Sequence, residues 1–112
     1  MFNSKSLVLS LVILILVTIS AGAFANTLSI QGSSTVLPIA QRAAEVYMEQ
    51  NPEVSISVRG GGSGNGIAAL IDNATDIADA SRFIKEQELN QAVDNGVQPV
   101  PHRVAMDGIA VI

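Results

Sequence analysis

The 112-residue chain has no cysteine, a single histidine and few basic residues. Without cysteine there can be no disulfides and no thiolate metal sites. The lone histidine, His102, lies between Pro101 and Arg103, and with no second histidine or cysteine it reads as a surface residue and not a metal ligand. Six lysines and arginines face ten acids, for a net charge of −4. That balance argues against nucleic acid or an anionic membrane as a partner. An anion could be held only by local oriented dipoles and hydrogen bonds, because the overall field repels it.

The first 25 residues carry one charge, Lys5, then a nearly unbroken apolar run over residues 7–19 and the small-x-small site Ala23-Phe24-Ala25. This predicts a cleaved export signal, since the run is short for a span of about 20 residues. No cysteine follows the run to carry a bacterial-type lipid anchor. Residues 26–112 would then be the mature chain, holding Arg42, Arg59, Arg82, Lys85 and Arg103 against all ten acids. That length suits one small domain.

The mature part alternates strand and helix patterns, with no internal repeat. Residues 27–31 predict a strand, followed by a loop, Gly32-Ser33-Ser34-Thr35. Ser34 or Thr35 is placed to cap a helix with Pro38 in its first turn, running to about Gln50. Its spacing turns Ile39, Ala40, Ala43, Ala44 and Tyr47 inward and Gln41, Arg42, Glu45 and Glu49 outward. Asn51-Pro52 stops it. Residues 54–58 alternate as a second strand, and residues 63–71 are apolar at helical spacing up to Asp72-Asn73. A third strand is predicted at 76–80, a third helix at 86–94 with Gly96 as its stop, and a strand-like run at 100–112 broken by Asp107-Gly108. This is the pattern of an α/β layered domain with a mainly parallel sheet.

The most distinctive stretch is Arg59-Gly60-Gly61-Gly62-Ser63-Gly64-Asn65-Gly66, a strand breaking into glycines and re-forming as a helix. A helix start presents free N–H groups and the positive end of its dipole, a ready anion site. Ser63 can add a hydroxyl or cap the helix, and a plain flexible turn is the competing reading. A nucleotide P-loop requires Gly-Lys-Ser/Thr, where Asn65-Gly66-Ile67 stands instead. The dinucleotide G-x-G-x-x-G and the hydrolase G-x-S-x-G also fail in every register. Parallel sheets bind ligands outside the carboxyl ends of their strands. Three such loops here carry hydroxyls with little bulk: 32–35, 60–66 and 80–82.

These residues resemble a known family, the extracytoplasmic phosphate-binding proteins of ABC importers. The resemblance rests on Gly32-Ser33-Ser34-Thr35-Val36-Leu37-Pro38, on residues 60–66, on Asp76-Ile77-Ala78-Asp79-Ala80-Ser81-Arg82 and on Asp107-Gly108-Ile109-Ala110-Val111, in the family's order and spacing. It implies a type II periplasmic-binding-protein fold that captures inorganic phosphate and hands it to a membrane permease, with membrane contact only through that permease. No cofactor, metal or catalytic residue is implied, and the protein is expected outside the cytoplasm, periplasmic or at the cell surface.

By the same resemblance, Ser34 and Thr35 would donate hydroxyls and N–H groups to phosphate. Gly62, Ser63 and Gly64 would do so from the glycine loop, and Ser81 from the third loop. One branch of the family places an aspartate after the serine matching Ser81; here Arg82 stands there, able to form charge-assisted bonds to the oxyanion. Asp107 is then the nearest candidate acceptor for the ligand's proton. Arg82 could instead pair with Asp79 or Asp76, Asp107 could serve only a turn, and Arg59 reads as a solvated strand end. The family has a second lobe with an arginine and a Ser-Gly-Thr-type loop, so this sequence is expected to be an N-terminal portion.

Two other functions fit parts of the sequence. A hydrolase could use Ser63, Asp79 and His102 in Ser…Asp…His order, although its elbow is missing. A non-binding remnant or interaction module would need none of the loops. Among receptors, sulfate or molybdate is an alternative to phosphate.

Overall fold

In a computed structural model, residues 26–108 can be described. The segment read as an export signal and the last four residues lie outside them. Three strands and three helices alternate: β1 (Asn26–Gly32), α1 (Leu37–Gln50), β2 (Val54–Arg59), α2 (Ser63–Ile71), β3 (Ile77–Asp79) and α3 (Glu86–Asp94). All strand pairing is parallel, in the order β2-β1-β3. The helices and strands fall within about two residues of the sequence expectation, which is the usual uncertainty of element ends.

β1 is central because both of its edges are used. It pairs along its length with β2, from Asn26 opposite Val54 to Gln31 opposite Arg59, and at its carboxyl end with β3, where Gly32 faces Asp79. The β1–β3 seam is also closed at its start. Thr75 donates its hydroxyl to the Ser29 carbonyl at 2.9 Å, and the Asp76 carboxylate accepts both the Ser29 N–H and hydroxyl at 2.7 Å. Those two donors hold the Asp76 carboxyl below its ordinary value.

The chain leaves β1 to one side for β2 and then crosses over to β3 on the other. Right-handed crossovers in both units put α1 and α2 on opposite sheet faces. The order reverses between β1 and β3, so the crevice at their carboxyl ends is the expected ligand position of such a sheet.

The core is small and lies mainly under α2. Ile67, Ile71 and Ala92 are buried, with Ala78, Ala80, Ile84 and Val97 packed against them. Helix α2 comes close to β1 at Gly66, where any Cβ would strike the Gln31 carbonyl oxygen. That approach sets the first turn of α2 over the end of β1.

Three expectations need correction. In α1 only Ala44 is buried, and Ile39, Ala43 and Tyr47 are exposed. The helix rests on β2 through the flank containing Ala40, Ala44 and Met48, and Met48 Sδ accepts the Ile56 N–H at 3.2 Å. An apolar stripe wider than one sheet edge cannot all be covered by it. Second, neither Ser34 nor Thr35 caps α1. Val36 stands at the N-cap with no side-chain hydrogen bond, and buried Ser33 holds the turn before it, its Oγ accepting the N–H groups of Thr35 and Val36 at 3.2 and 3.3 Å. Third, residues 100–108 form no strand; they are exposed, and Arg103 lies 5.5 Å over the Phe83 ring. A run of alternating apolar residues becomes a strand only with a partner edge, and no described strand is placed to supply one.

Candidate functional site

The three loops singled out by composition meet at the carboxyl ends of β1 and β3. Each pair is joined by a hydrogen bond. The Gly62 N–H donates to the Gly32 carbonyl at 2.8 Å, tying the glycine loop to the first loop. The Ser33 N–H donates to the carbonyl of Asp79, the last residue of β3, at 2.9 Å, tying the first loop to the strand end from which the third loop leaves. The Ser81 N–H donates to Ser63 Oγ at 3.1 Å, and the Ser63 and Ser81 hydroxyls lie 3.2 Å apart, tying the second loop to the third.

The glycine loop makes its turn with Gly61 and Gly62 at φ of 137° and 103°, a region that side chains disfavour. Gly62 is the N-cap of α2 and Ser63 its first helical residue. Ser63 is therefore not a cap, and its hydroxyl faces the third loop. The first intrahelical bond runs from the Gly66 N–H to the Gly62 carbonyl at 3.1 Å. This leaves the N–H groups of Ser63, Gly64 and Asn65 as the unsatisfied donors that a helix start presents. The Asn65 side chain folds back onto the Gly61 carbonyl at 2.6 Å and steadies the turn.

The sequence-predicted residues fare differently. Ser63, Gly64 and Ser81 are brought together. Ser34 and Thr35 stand exposed in the turn after β1, with hydroxyls open, but the Thr35 N–H is already engaged by Ser33. Gly62 also spends its N–H within the protein, so its contribution is the shape of the turn. Asp107 is exposed, its carboxylate accepting the Gly108 N–H at 2.8 Å, and no contact joins it to the three loops among the described residues.

Arg82 lies beside the glycine loop: a Cβ on Gly64 would sit 3.8 Å from Nη2. Its ion-pair partner is neither Asp76 nor Asp79 but Glu88, in the first turn of α3. Nη1 and Nη2 donate to the two Glu88 carboxylate oxygens at 2.9 and 2.7 Å. Glu88 also accepts the Lys85 N–H at 2.8 Å. The bonds from Arg82 foremost, and then from Lys85, pull the Glu88 carboxyl down to about 2, and the Arg82 guanidinium is raised in return. Sequence reasoning missed Glu88; the signal available was a glutamate at the third position of a helix that begins after Lys85.

From sequence, Asp79 is a candidate only as a triad member or as an ion-pair partner of Arg82. Its carboxylate oxygens are covered and have no hydrogen-bond partner, packed against Gly32. Burial pushes this carboxyl up from its ordinary value; the nearby N–H groups of Asp79 and Ser33 oppose the shift without bonding to it. His102 is exposed in the segment after α3, and among the described residues nothing joins it to Ser63 or Asp79. With Ser63 Oγ facing Ser81, no triad is assembled. No group of histidines and acids among the described residues could hold a metal ion. The chemistry on offer is hydrogen-bond donation, from unsatisfied N–H groups, hydroxyls and one guanidinium, which suits a small oxyanion.

The family described as PBP superfamily domain matches residues 18–112. A protein named phosphate-binding protein PstS, from Bacillus subtilis, is 38% identical over 85 residues, covering 76% of this chain and 27% of that protein. A solved ABC-type phosphate transport receptor from Vibrio cholerae has a TM-score of 0.54 at 40% identity, covering 56% of this chain and 25% of the receptor. A phosphate-binding protein of a phosphate ABC transporter from Streptococcus pneumoniae gives 0.56 at 33% identity, over 62% of this chain and 27% of that one. The chain thus spans about a quarter of the length of the relatives it matches.

Proposed function

Because the chain belongs to the PBP superfamily domain family, we propose that it forms the N-terminal lobe of an extracytoplasmic receptor that captures inorganic phosphate for an ABC transporter permease. The observation that carries the reading is the closed set of hydrogen bonds among the three loops. It gathers the first turn of α2, the Ser63 and Ser81 hydroxyls and Arg82 at the β1–β3 crevice. The relatives' names point to the same ligand, and they are binding proteins, not enzymes. Ser34, Thr35, Ser63, Gly64, Ser81 and Arg82 are the residues assigned to phosphate, with Gly62 shaping the loop. Residues 1–25 serve as the export signal that puts residues 26–112 outside the cytoplasm. No helix among the described residues is long and apolar enough to cross a membrane.

Binding here is local. The helix dipole, the amide donors and the guanidinium outweigh a repulsive net charge only at close range, which favours a small ligand held against the loops. Calorimetric titration of the protein with inorganic phosphate, with sulfate and molybdate in parallel, tests the reading. Saturable heat with phosphate, reduced by Ser63→Ala, is the expected result. Equal affinity of the parent protein and the Ser63→Ala variant would remove the glycine loop from the site, and preference for sulfate would reassign the ligand.

A further inference from the structure

Arg82 has five N–H donors in a planar fork, and the structure accounts for three of them. Nη1 gives one to the Phe83 carbonyl at 2.9 Å and one to Glu88 at 2.9 Å. Nη2 gives one to the other Glu88 oxygen at 2.7 Å. An end-on pair with a carboxylate uses the Nη1 and Nη2 hydrogens that point along the guanidinium axis. What remains is Nε–H and the second hydrogen of Nη2. These two are parallel and lie on the edge that carries Nη2, the nitrogen beside Gly64.

We propose that Glu88 is a positioning residue, holding Arg82 so that its remaining Nε–H and Nη2–H fork grips two oxygens of the tetrahedral anion at the start of α2. The inference rests on the oxyanion-receptor reading above and deepens it. Glu88 itself is fixed from the other side. Its carboxylate accepts the Lys85 N–H at 2.8 Å at the start of α3, so three bonds set its orientation and through it that of the guanidinium. The ion pair is part-buried, with 33% and 20% of the two side chains exposed. Arginine is suited to this place because a planar fork matches two oxyanion oxygens, which the ammonium of a lysine cannot do. The arrangement also explains how a carboxylate can stand near an anion site: its charge is paired across the Nη1–Nη2 end of the arginine, which leaves the Nε–Nη2 edge for the anion.

The test is a set of phosphate titrations by calorimetry on the parent protein, Glu88→Gln, Arg82→Lys and the double variant. Glu88→Gln should weaken phosphate binding about tenfold, the order expected when a rotamer-rich side chain must be ordered on binding. In the Arg82→Lys background, which has no fork to position, Glu88→Gln should have little further effect. A glutamate that only capped α3 would weaken both backgrounds alike, and that result would overturn the proposal. A second measurement needs no variant: in the 15N-labelled parent protein the Arg82 Nε–H resonance should shift on adding inorganic phosphate. A parent that binds phosphate with this resonance unmoved sinks the inference alone, whereas a parent that binds no phosphate sinks the receptor reading and the inference with it.

Discussion

The Ser81 backbone N–H donates to Ser63 Oγ at 3.1 Å, joining two loops that lie 18 residues apart in the sequence. The bond fixes the Ser63 hydroxyl as an acceptor from one side and turns its hydrogen toward the Ser81 hydroxyl or a ligand. It also brings the end of β3 against the first turn of α2, so one serine both builds the crevice and lines it.

Ser63→Ala should therefore act on binding and on loop order together. Loss of a hydrogen bond to a charged ligand costs about 1–3 kcal/mol, roughly ten- to a hundredfold in affinity. A bulky residue at Ser63 should abolish phosphate binding outright by filling the site. Calorimetry reads both, and a bulky variant that still bound normally would mean that the anion sits elsewhere.

Gly66→Ala tests the approach of α2 to β1. The added methyl meets the Gln31 carbonyl oxygen, which is backbone and cannot swing aside. Helix and strand must separate, and overpacking of this kind costs about 1–3 kcal/mol. Urea denaturation should show a lower midpoint, and phosphate affinity should fall because the helix start moves off the end of β1. An unchanged midpoint would mean that this contact is looser than the structure has it.

Ser33→Ala addresses the buried serine whose Oγ holds the turn before α1, where a capping Ser34 or Thr35 is expected from sequence. Two N–H groups of the turn before α1 lose their acceptor, and each such hydrogen bond is worth about 0.5–1.5 kcal/mol. Ser34→Ala should leave the denaturation midpoint within about 0.5 kcal/mol, since its exposed hydroxyl caps nothing. Equal losses from both would mean that Ser33 Oγ does not hold the turn before α1.

The difference between those serines shows where the sequence was legible. Helices α2 and α3 stand out because their apolar spacing, the glycine loop before one and Gly96 after the other are local signals. The parallel layering and the three-loop crevice follow from the alternation of strands and helices. Choosing among Ser33, Ser34 and Thr35 depends on a one-residue difference in where β1 ends and its chain turns, which no periodicity records. Glu88 was hidden for a related reason: its partner Arg82 lies six residues away across a turn, and only the path of that turn makes them meet. The buried face of α1 differs from the expected one because Ile39 and Tyr47 are apolar at helical spacing, yet β2 beneath covers only the neighbouring flank.

Glu88 should make the protein acid-sensitive over a defined window. Its folded carboxyl lies at about 2, below its ordinary 4.5. A depressed value contributes stability that is complete above 4.5 and lost as pH falls toward 2. Urea midpoints measured from pH 5 to 2.5 should fall more steeply for the parent than for Glu88→Gln. Identical slopes would mean that the pairing with Arg82 does not persist in solution.

Asp79 should show the opposite sign. Its carboxyl is raised above the ordinary 3.8 because both oxygens are covered and unpartnered. A raised value means that the group favours the folded state fully below 3.8, and that this contribution is lost as pH rises through the folded value. At neutral pH the protein must therefore either keep a proton on Asp79 or fold around an uncompensated charge, and both are costly. Asp79→Asn keeps the shape against Gly32 and removes that charge. The variant should be at least as stable as the parent at pH 7, with the advantage shrinking as pH falls and the parent's carboxyl takes up its proton. Thermal midpoints at pH 7, 5 and 3.5 decide the matter. A variant weaker by the same amount at every pH would show that Asp79 matters for its fit against Gly32 and not for its charge.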